Sequence, residues 1–299
     1  MAVRPVVVAI DGSEESLAAV EWAARTARSH DTQLLIAAAP AAPPRSYSVD
    51  VPEPVVTNAR RGMAARALDA AIRRADAAVP GLAIRTALLS GLPPFAVVAA
   101  GEDAMMLVTG ARGAGGFAAM VLGSVCRYAA MHAGCPVVVV RATQAAVRRE
   151  IVVGIQDAEQ SSEALAFAIE EARSGGAELT AVHAWYWSHD GLGDPAGGEL
   201  ARAAANLAEA LEPWRDKYPG VPLRSEVVCG HPAWVLASYS ARAQLVVLGR
   251  SAGPDGHDLT SIQLTTLDHA HGPIAIVPAD LFVPGIRRDS SSFRECMWP

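Results

Sequence analysis

A chain of 299 residues is long enough for two domains of ordinary size. With 51% hydrophobic and 19% charged residues it carries apolar material for two cores, which excludes a disordered chain. Its formal net charge of −6 lacks the basic excess of a dedicated nucleic-acid binder, and its single lysine, Lys217, leaves no Gly-Lys-Ser/Thr for a Walker A loop and only one amine for Schiff-base chemistry.

In chain order, the apolar run from Val6 to Ile10 predicts a strand; it is too short for a signal-peptide core and ends at Asp11. Gly12-Ser13 makes a turn, and the spacing of Leu17, Val20, Ala24 and Ala27 predicts a helix. A second strand is expected over Gln33 to Ala38. After a Pro-rich loop comes a long amphipathic helix from about Thr57 to Ala78. A third strand near Ala83 to Leu89 and a short helix near Pro94 to Ala100 follow. The fourth strand is Met105 to Thr109 and the fifth Pro136 to Val140, with one more helix between them. No stretch approaches the ~20 apolar residues of a membrane span; the most apolar one, from Leu34, is broken at Pro40. The cysteines Cys126, Cys135, Cys229 and Cys296 form no Cys-x-x-Cys pair and no metal-ligand spacing. These features predict a cytoplasmic protein with incidental thiols and no membrane contact.

The second half repeats the first. Val6-Val7-Val8-Ala9-Ile10-Asp11 is matched by Ile151-Val152-Val153-Gly154-Ile155-Gln156, and the match runs without a gap to Ala38 and His183. Leu107-Val108-Thr109-Gly110 pairs with Val246-Val247-Leu248-Gly249, and Pro136 to Val140 with Pro273 to Val277. Strands alternating with helices imply a parallel sheet. The fold class expected is α/β, with two repeated doubly wound domains, each a five-stranded parallel sheet with helices on both faces. The domains are placed at residues 1–143 and 150–280, with a flexible, Ser-rich tail at 281–299.

After the fourth strand stands a glycine loop: Gly110-Ala111-Arg112-Gly113, nine residues, then Gly123-Ser124-Val125. Glycines let a backbone approach a ligand closely, and successive amides in such a turn form an anion nest. Ser124 is placed to offer its hydroxyl and the amides of a helix start to a phosphate, and Arg112 to add a charge. This spacing, the strand ending in Asp11-Gly12-Ser13 and the last strand opened by Cys135-Pro136 resemble the universal stress protein family over nearly the whole chain, as a tandem pair. The resemblance implies ATP binding, with Mg as an accompanying ion, a regulatory role in stress survival, and homodimers formed through the last strand. It places Asp11 near the ribose and adenine, Ala9 and Ile10 along the same edge, and Ala38 at the base. Gly110, Arg112, Gly113, Gly123, Ser124 and Val125 fall at the phosphate positions. Asp11 has a plainer role open to it in the strand-to-helix turn.

The second half departs from this pattern. Gln156 stands for Asp11, His183 for Ala38, Ala252 or Gly253 for Gly113, and Thr260-Ser261 for Gly123-Ser124. Loss of a charge-assisted hydrogen bond and of a glycine conformation together cost roughly a hundredfold or more in affinity, so the first half is expected to hold the nucleotide. Two competing signals remain. Gly249-Arg250-Ser251-Ala252-Gly253 fits the nucleophile elbow of a serine hydrolase, with Asp268, His269 and His271 downstream, but Pro254-Asp255-Gly256 interrupts the helix that an elbow requires. Gly113-x-Gly115-x-x-Ala118 imitates a dinucleotide fingerprint without its downstream acid. The functional expectation is a nucleotide-binding regulatory protein rather than an enzyme, with at most slow ATP hydrolysis. A nucleotide-free dimerising scaffold is the alternative.

Overall fold

The computed structural model describes residues 4–39, 53–113, 122–142, 148–156, 161–185, 195–250 and 259–279. The Pro-rich loop, the middle of the glycine loop, Ser251 and the C-terminal tail lie outside them. The first half runs β1 (Val6–Ile10), α1 (Glu14–Ser29), β2 (Leu34–Ala38), α2 (Glu53–Ala78), β3 (Ile84–Leu88), α3 (Pro93–Ala100), β4 (Met106–Gly110), α4 (Ser124–His132) and β5 (Val137–Val140). The second runs β6 (Arg148–Gly154), α5 (Ser162–Gly175), β7 (Glu178–Trp185), α6 (Pro195–Lys217), β8 (Leu223–Cys229), α7 (Pro232–Tyr239), β9 (Ala243–Arg250), α8 (Ser261–His269) and β10 (Ile274–Pro278).

The expected five-stranded parallel sheet is present in each half. The two sheets join edge to edge into one of ten strands, ordered β3-β2-β1-β4-β5-β10-β9-β6-β7-β8. The seam is antiparallel, with Val139 opposite Ile274 and Val137 opposite Ile276. The cause lies in β5 and β10 themselves. Both are apolar and buried along their length, and an unpaired apolar edge strand is a template for aggregation. Each covers the other. The edges that remain, β3 and β8, are partly exposed and carry Arg85 and Arg224, the charged edges that block further pairing. The last-strand surface through which the family resemblance implied a homodimer is thus used within one chain, as a seam between the repeats.

Helices α1, α2, α5 and α6 pack on one face of the sheet, and α3, α4, α7 and α8 on the other. The faces differ in what they bury. The α1 side is built on alanine, with Ala19, Ala23, Ala24 and Ala27 fully buried, so that helix sits close to the strands. Ser13 caps α1, its hydroxyl accepting the Ser16 N–H at 3.2 Å.

The halves also meet through α1 and α5. His30 Nε2 lies 2.8 Å from Glu171 Oε1 and 3.0 Å from the Ser174 hydroxyl, with both members of the pair almost buried. Burial alone would lower the His30 pKa; the Glu171 hydrogen bond and charge outweigh it, and the pKa is raised above 6.5. A raised folded-state pKa contributes stability that is complete below the unfolded value and is lost as pH rises through the folded one. Glu171→Gln is therefore expected to destabilise the fold by about 2 kcal/mol near pH 6, with the difference from wild type shrinking by pH 9. Urea melts at the two pH values check this; a pH-independent difference would remove the ion pair from the explanation.

Candidate functional site

At the C-terminal ends of β1 and β4 a cavity of about 250 Å³ opens between the strand ends, α3 and the start of α4. This is where ligands sit in parallel α/β sheets. Of the ten residues singled out in the sequence, nine line it: Ala9, Ile10, Asp11, Gly110, Arg112, Gly113, Gly123, Ser124 and Val125. Ala38 does not. Strand alternation turns its side chain into the core on the α1 side, and Ala39, one residue further, lines the cavity instead. The expectation for Ala38 is corrected by that single position.

The strand-to-helix turn holds Asp11. Gly12 has φ +88, a conformation side-chain-bearing residues rarely adopt, and it lets the chain turn so that Asp11 Oδ1 accepts the Ser13 N–H at 3.0 Å. The plainer role raised for Asp11 is therefore real. Its second oxygen faces Gly113, where a Cβ would come within 2.5 Å of Oδ2. The carboxylate thus ties the turn on one side and packs against the glycine loop on the other.

The glycines of that loop serve different ends. A Cβ on Gly110 would lie 2.8 Å from the Glu15 carbonyl carbon and 2.9 Å from the Ser16 nitrogen. Gly110 is demanded by the close passage of α1's first turn, a packing requirement that holds with or without a ligand. Gly123 has an ordinary extended backbone, φ −72 and ψ 152, and is the N-cap of α4 with no side-chain cap bond. The first amides of a helix have no intrahelical partner, and a Ser or Asp at this cap would offer its oxygen to them. Glycine leaves the first-turn amides of Ser124, Val125 and Cys126, all at the cavity wall, without that acceptor. A helix start in this condition favours anionic oxygens.

Arg112 does not present an unengaged charge. Glu15 accepts its backbone N–H at 2.6 Å and its Nε–H at 2.7 Å, and a guanidinium nitrogen lies 2.6 Å from the same carboxylate. Glu15, only 8% exposed, therefore anchors the loop to α1. At the cavity floor the Thr109 hydroxyl lies against the Cys126 thiol, whose pKa burial pushes up to about 12; it is a packed thiol, not a nucleophile. Sequence reasoning missed Glu15, Val97 and Thr109. Glu15 stands four residues after Asp11 in an acidic helix start, and nothing local marks its partner 97 residues away.

The second half keeps a cavity of about 210 Å³ at the repeat-related place, lined by Gln156, His183, Gly249, Thr260 and Gln263 among others. Its chemistry is different. Thr260 caps α8 in a reciprocal box: the Thr260 hydroxyl accepts the Gln263 N–H at 3.3 Å, and Gln263 Oε1 accepts the Thr260 N–H at 2.7 Å. The Gln263 amide also donates to the Gly249 carbonyl at 2.5 Å. The third of the amides that α4 leaves to the cavity is, in α8, the Gln263 N–H, and it is taken by the chain itself, as is the cap residue's own N–H. His183 donates from Nδ1 to the Ile155 carbonyl at 2.9 Å, and no carboxylate stands where Asp11 does.

The hydrolase signal lies only partly within the described residues. Ser251 lies outside the described residues, but Arg250 ends β9 at the cavity side. His271 sits at the other end of that strand, its N–H bonded to the Ser240 hydroxyl at 2.8 Å, and His269 at the far end of α8 packs its ring on Trp234. At about 3.3 Å per strand residue, roughly 20 Å of β9 separates the His271 end from Arg250. The dinucleotide-like glycines after Gly113 lie outside the described residues.

The model of the family described as "Universal stress protein family" matches residues 2–141 and again 148–278. The universal stress protein Rv2005c of Mycobacterium tuberculosis is 33% identical over 293 residues, covering 91% of this chain and 96% of the relative. Rv2623 of the same organism is 30% identical over 293 residues, covering 92% and 97%. Among solved structures, a universal stress protein from Archaeoglobus fulgidus superposes with a TM-score of 0.67 at 18% identity, covering 92% of this chain and 96% of the other.

Proposed function

Because the chain belongs to the universal stress protein family, we propose that it is a regulatory protein whose first half holds an adenine nucleotide, ATP, in the cavity at the ends of β1 and β4. The observation that carries this reading is the start of α4. A glycine cap leaves its first-turn amides facing a concave wall, and a phosphate satisfies such donors. Ala9, Ala39 and Val97 offer an apolar edge for the base, with the Ile10 backbone beside them, and Asp11 an acceptor for ribose hydroxyls. Gly113 and Gly123 admit the phosphates close to the backbone. The triphosphate would bring its own Mg²⁺, held by phosphate oxygens more than by this chain.

The protein binds rather than turns over. Fast phosphoryl transfer needs a positioned base, a metal-holding carboxylate and an arginine for the developing charge. Here Glu15 is committed to Arg112, and Asp11 is tied into the turn. Hydrolysis slower than ~10⁻² s⁻¹ is expected. No helix among the described residues is long and apolar enough to cross a membrane, in keeping with our placement of the protein in the cytoplasm.

The test is to denature the purified protein and identify released nucleotide by mass spectrometry, then to titrate ATP into stripped protein. Saturable ATP binding with turnover below that rate supports the proposal. No nucleotide on release and no binding on titration would sink it and leave the nucleotide-free scaffold, whose contact surface would lie outside the β5–β10 seam.

A further inference from the structure

A cavity of about 870 Å³, larger than the two already described, lies away from the nucleotide site, at the opposite ends of the second half's strands. The beginnings of β6, β7 and β8 and the turn after α6 enclose it. Four cations from four segments line it: Arg149, Arg173, Lys217 and Arg224. Lys217 holds its ammonium above the rings of Trp214 and Tyr218, at 5.7 and 5.3 Å. The carboxylates nearby are engaged. Glu178 pairs with Arg224 at 3.2 Å, Glu170 with Arg173 at 2.7 Å, and Glu150 takes the Thr180 hydroxyl at 2.9 Å with Arg242 at 3.4 Å. With Arg242 included, five cations meet three carboxylates, a local surplus of two in a chain of net charge −6.

Comparison of the repeats accounts for the opening. Arg4, Arg28 and Arg85 stand in the first half where Arg149, Arg173 and Arg224 stand in the second. In the first half Arg28 reaches across the gap and donates to the Pro80 carbonyl at 3.3 Å. In the second, Glu170 replaces Arg25 one turn earlier, and Arg173 turns back onto it with two bonds of 2.9 and 2.7 Å. Arg173 is thereby drawn off the Pro219 turn, which α5 meets instead through the Glu170–Tyr218 hydrogen bond, and Lys217 stands at its rim where the first half has Ala78.

We propose that this pocket binds a small polyanion carrying two or more linked phosphates. Guanidinium forks take phosphate oxygens two at a time, and cations on four separate segments around a space this wide are not reached by one phosphate. Inorganic polyphosphate and the triphosphate of a nucleotide share this chemistry.

Lys217 supplies the assay, because it is the chain's one lysine. An amine-acylating reagent modifies Lys217 and the α-amino group, and mass spectrometry reads both rates in the full-length protein. Tripolyphosphate at ten times its dissociation constant is expected to slow acylation of Lys217 about tenfold and leave the α-amino rate unchanged. Orthophosphate is expected to give no protection. Protection is lost in Arg149→Gln/Arg173→Gln, two exposed changes outside the core, and kept in Gly113→Ala. An ATP arm in Gly113→Ala separates the sources: protection there means a nucleotide triphosphate is accepted, and its absence restricts the pocket to inorganic polyphosphate. An unchanged Lys217 rate overturns the proposal. So does equal protection by sodium sulfate of the same ionic strength, or protection that survives the double variant. The nucleotide site can fail its own test without affecting this one.

Discussion

Gly113→Ala is expected to lower ATP affinity roughly 10- to 100-fold while shifting the melting midpoint by no more than ~2 °C. The added methyl would lie 2.5 Å from Asp11 Oδ2, closer than atoms approach, so the carboxylate must rotate away. Asp11 then abandons the position from which it meets the cavity, and the loop loses its fit. The neighbours are an exposed loop and one side chain, so little folding energy is at stake. Gly110→Ala is the contrasting variant. Its methyl meets backbone atoms of Glu15 and Ser16 at 2.8 and 2.9 Å, and a helix backbone cannot rotate aside. Displacing α1 should cost about 1–3 kcal/mol and lower the midpoint by ~5 °C. Any loss of ATP in Gly110→Ala follows from a damaged fold. Calorimetry and thermal melts on both variants separate the two roles. Wild-type ATP affinity in Gly113→Ala would mean that Asp11 and the loop do not hold the ligand.

The difference between these glycines marks where sequence reading stops. The repeat, the parallel strands and the cavity's position were legible, because each rests on local patterns: apolar runs of strand length, helical spacing, a glycine loop after β4. Asp11, Gly113, Gly123 and Ser124 reach one cavity for the same reason, since strand ends and helix starts are local features. What was not legible rests on long-range contact. Gly110 reads as a ligand glycine until α1 is seen to cross it. Arg112 reads as a phosphate-binding charge until Glu15 is found holding it from the start of α1. Ala38 and Ala39 differ only in which face of β2 they occupy, and a one-residue step reverses the face. The β5–β10 seam needs two apolar strands 135 residues or more apart to find each other, and nothing local in either names the partner.

The two halves are expected to differ in ATP affinity by roughly a hundredfold or more, so that titration in the Arg149→Gln/Arg173→Gln background, where the basic pocket does not contribute, finds one tight site per chain. Erosion of the glycine motif is only part of the cause. In the first half the amides at the start of α4 look into the cavity with no cap side chain, whereas in the second the Thr260–Gln263 box takes the Thr260 and Gln263 N–H groups and lays the Gln263 side chain across the start of α8. A phosphate entering there must break bonds of 2.7 and 2.5 Å made by Gln263, and each costs about 1 kcal/mol before the ligand gains anything. Gln156 supplies no charge in the place of Asp11. The cavity persists because β6, β7 and β9 and their helices still pack; its ligand chemistry is lost because the chain has become its own ligand. Gln263→Gly combined with Gln156→Asp is therefore expected to recover measurable ATP binding in the second half, at a cost in stability from the lost cap of about 1 kcal/mol. Two equal sites in the unaltered protein would show that Gln263 yields to phosphate at no cost, and the capping box would then explain nothing about which half binds.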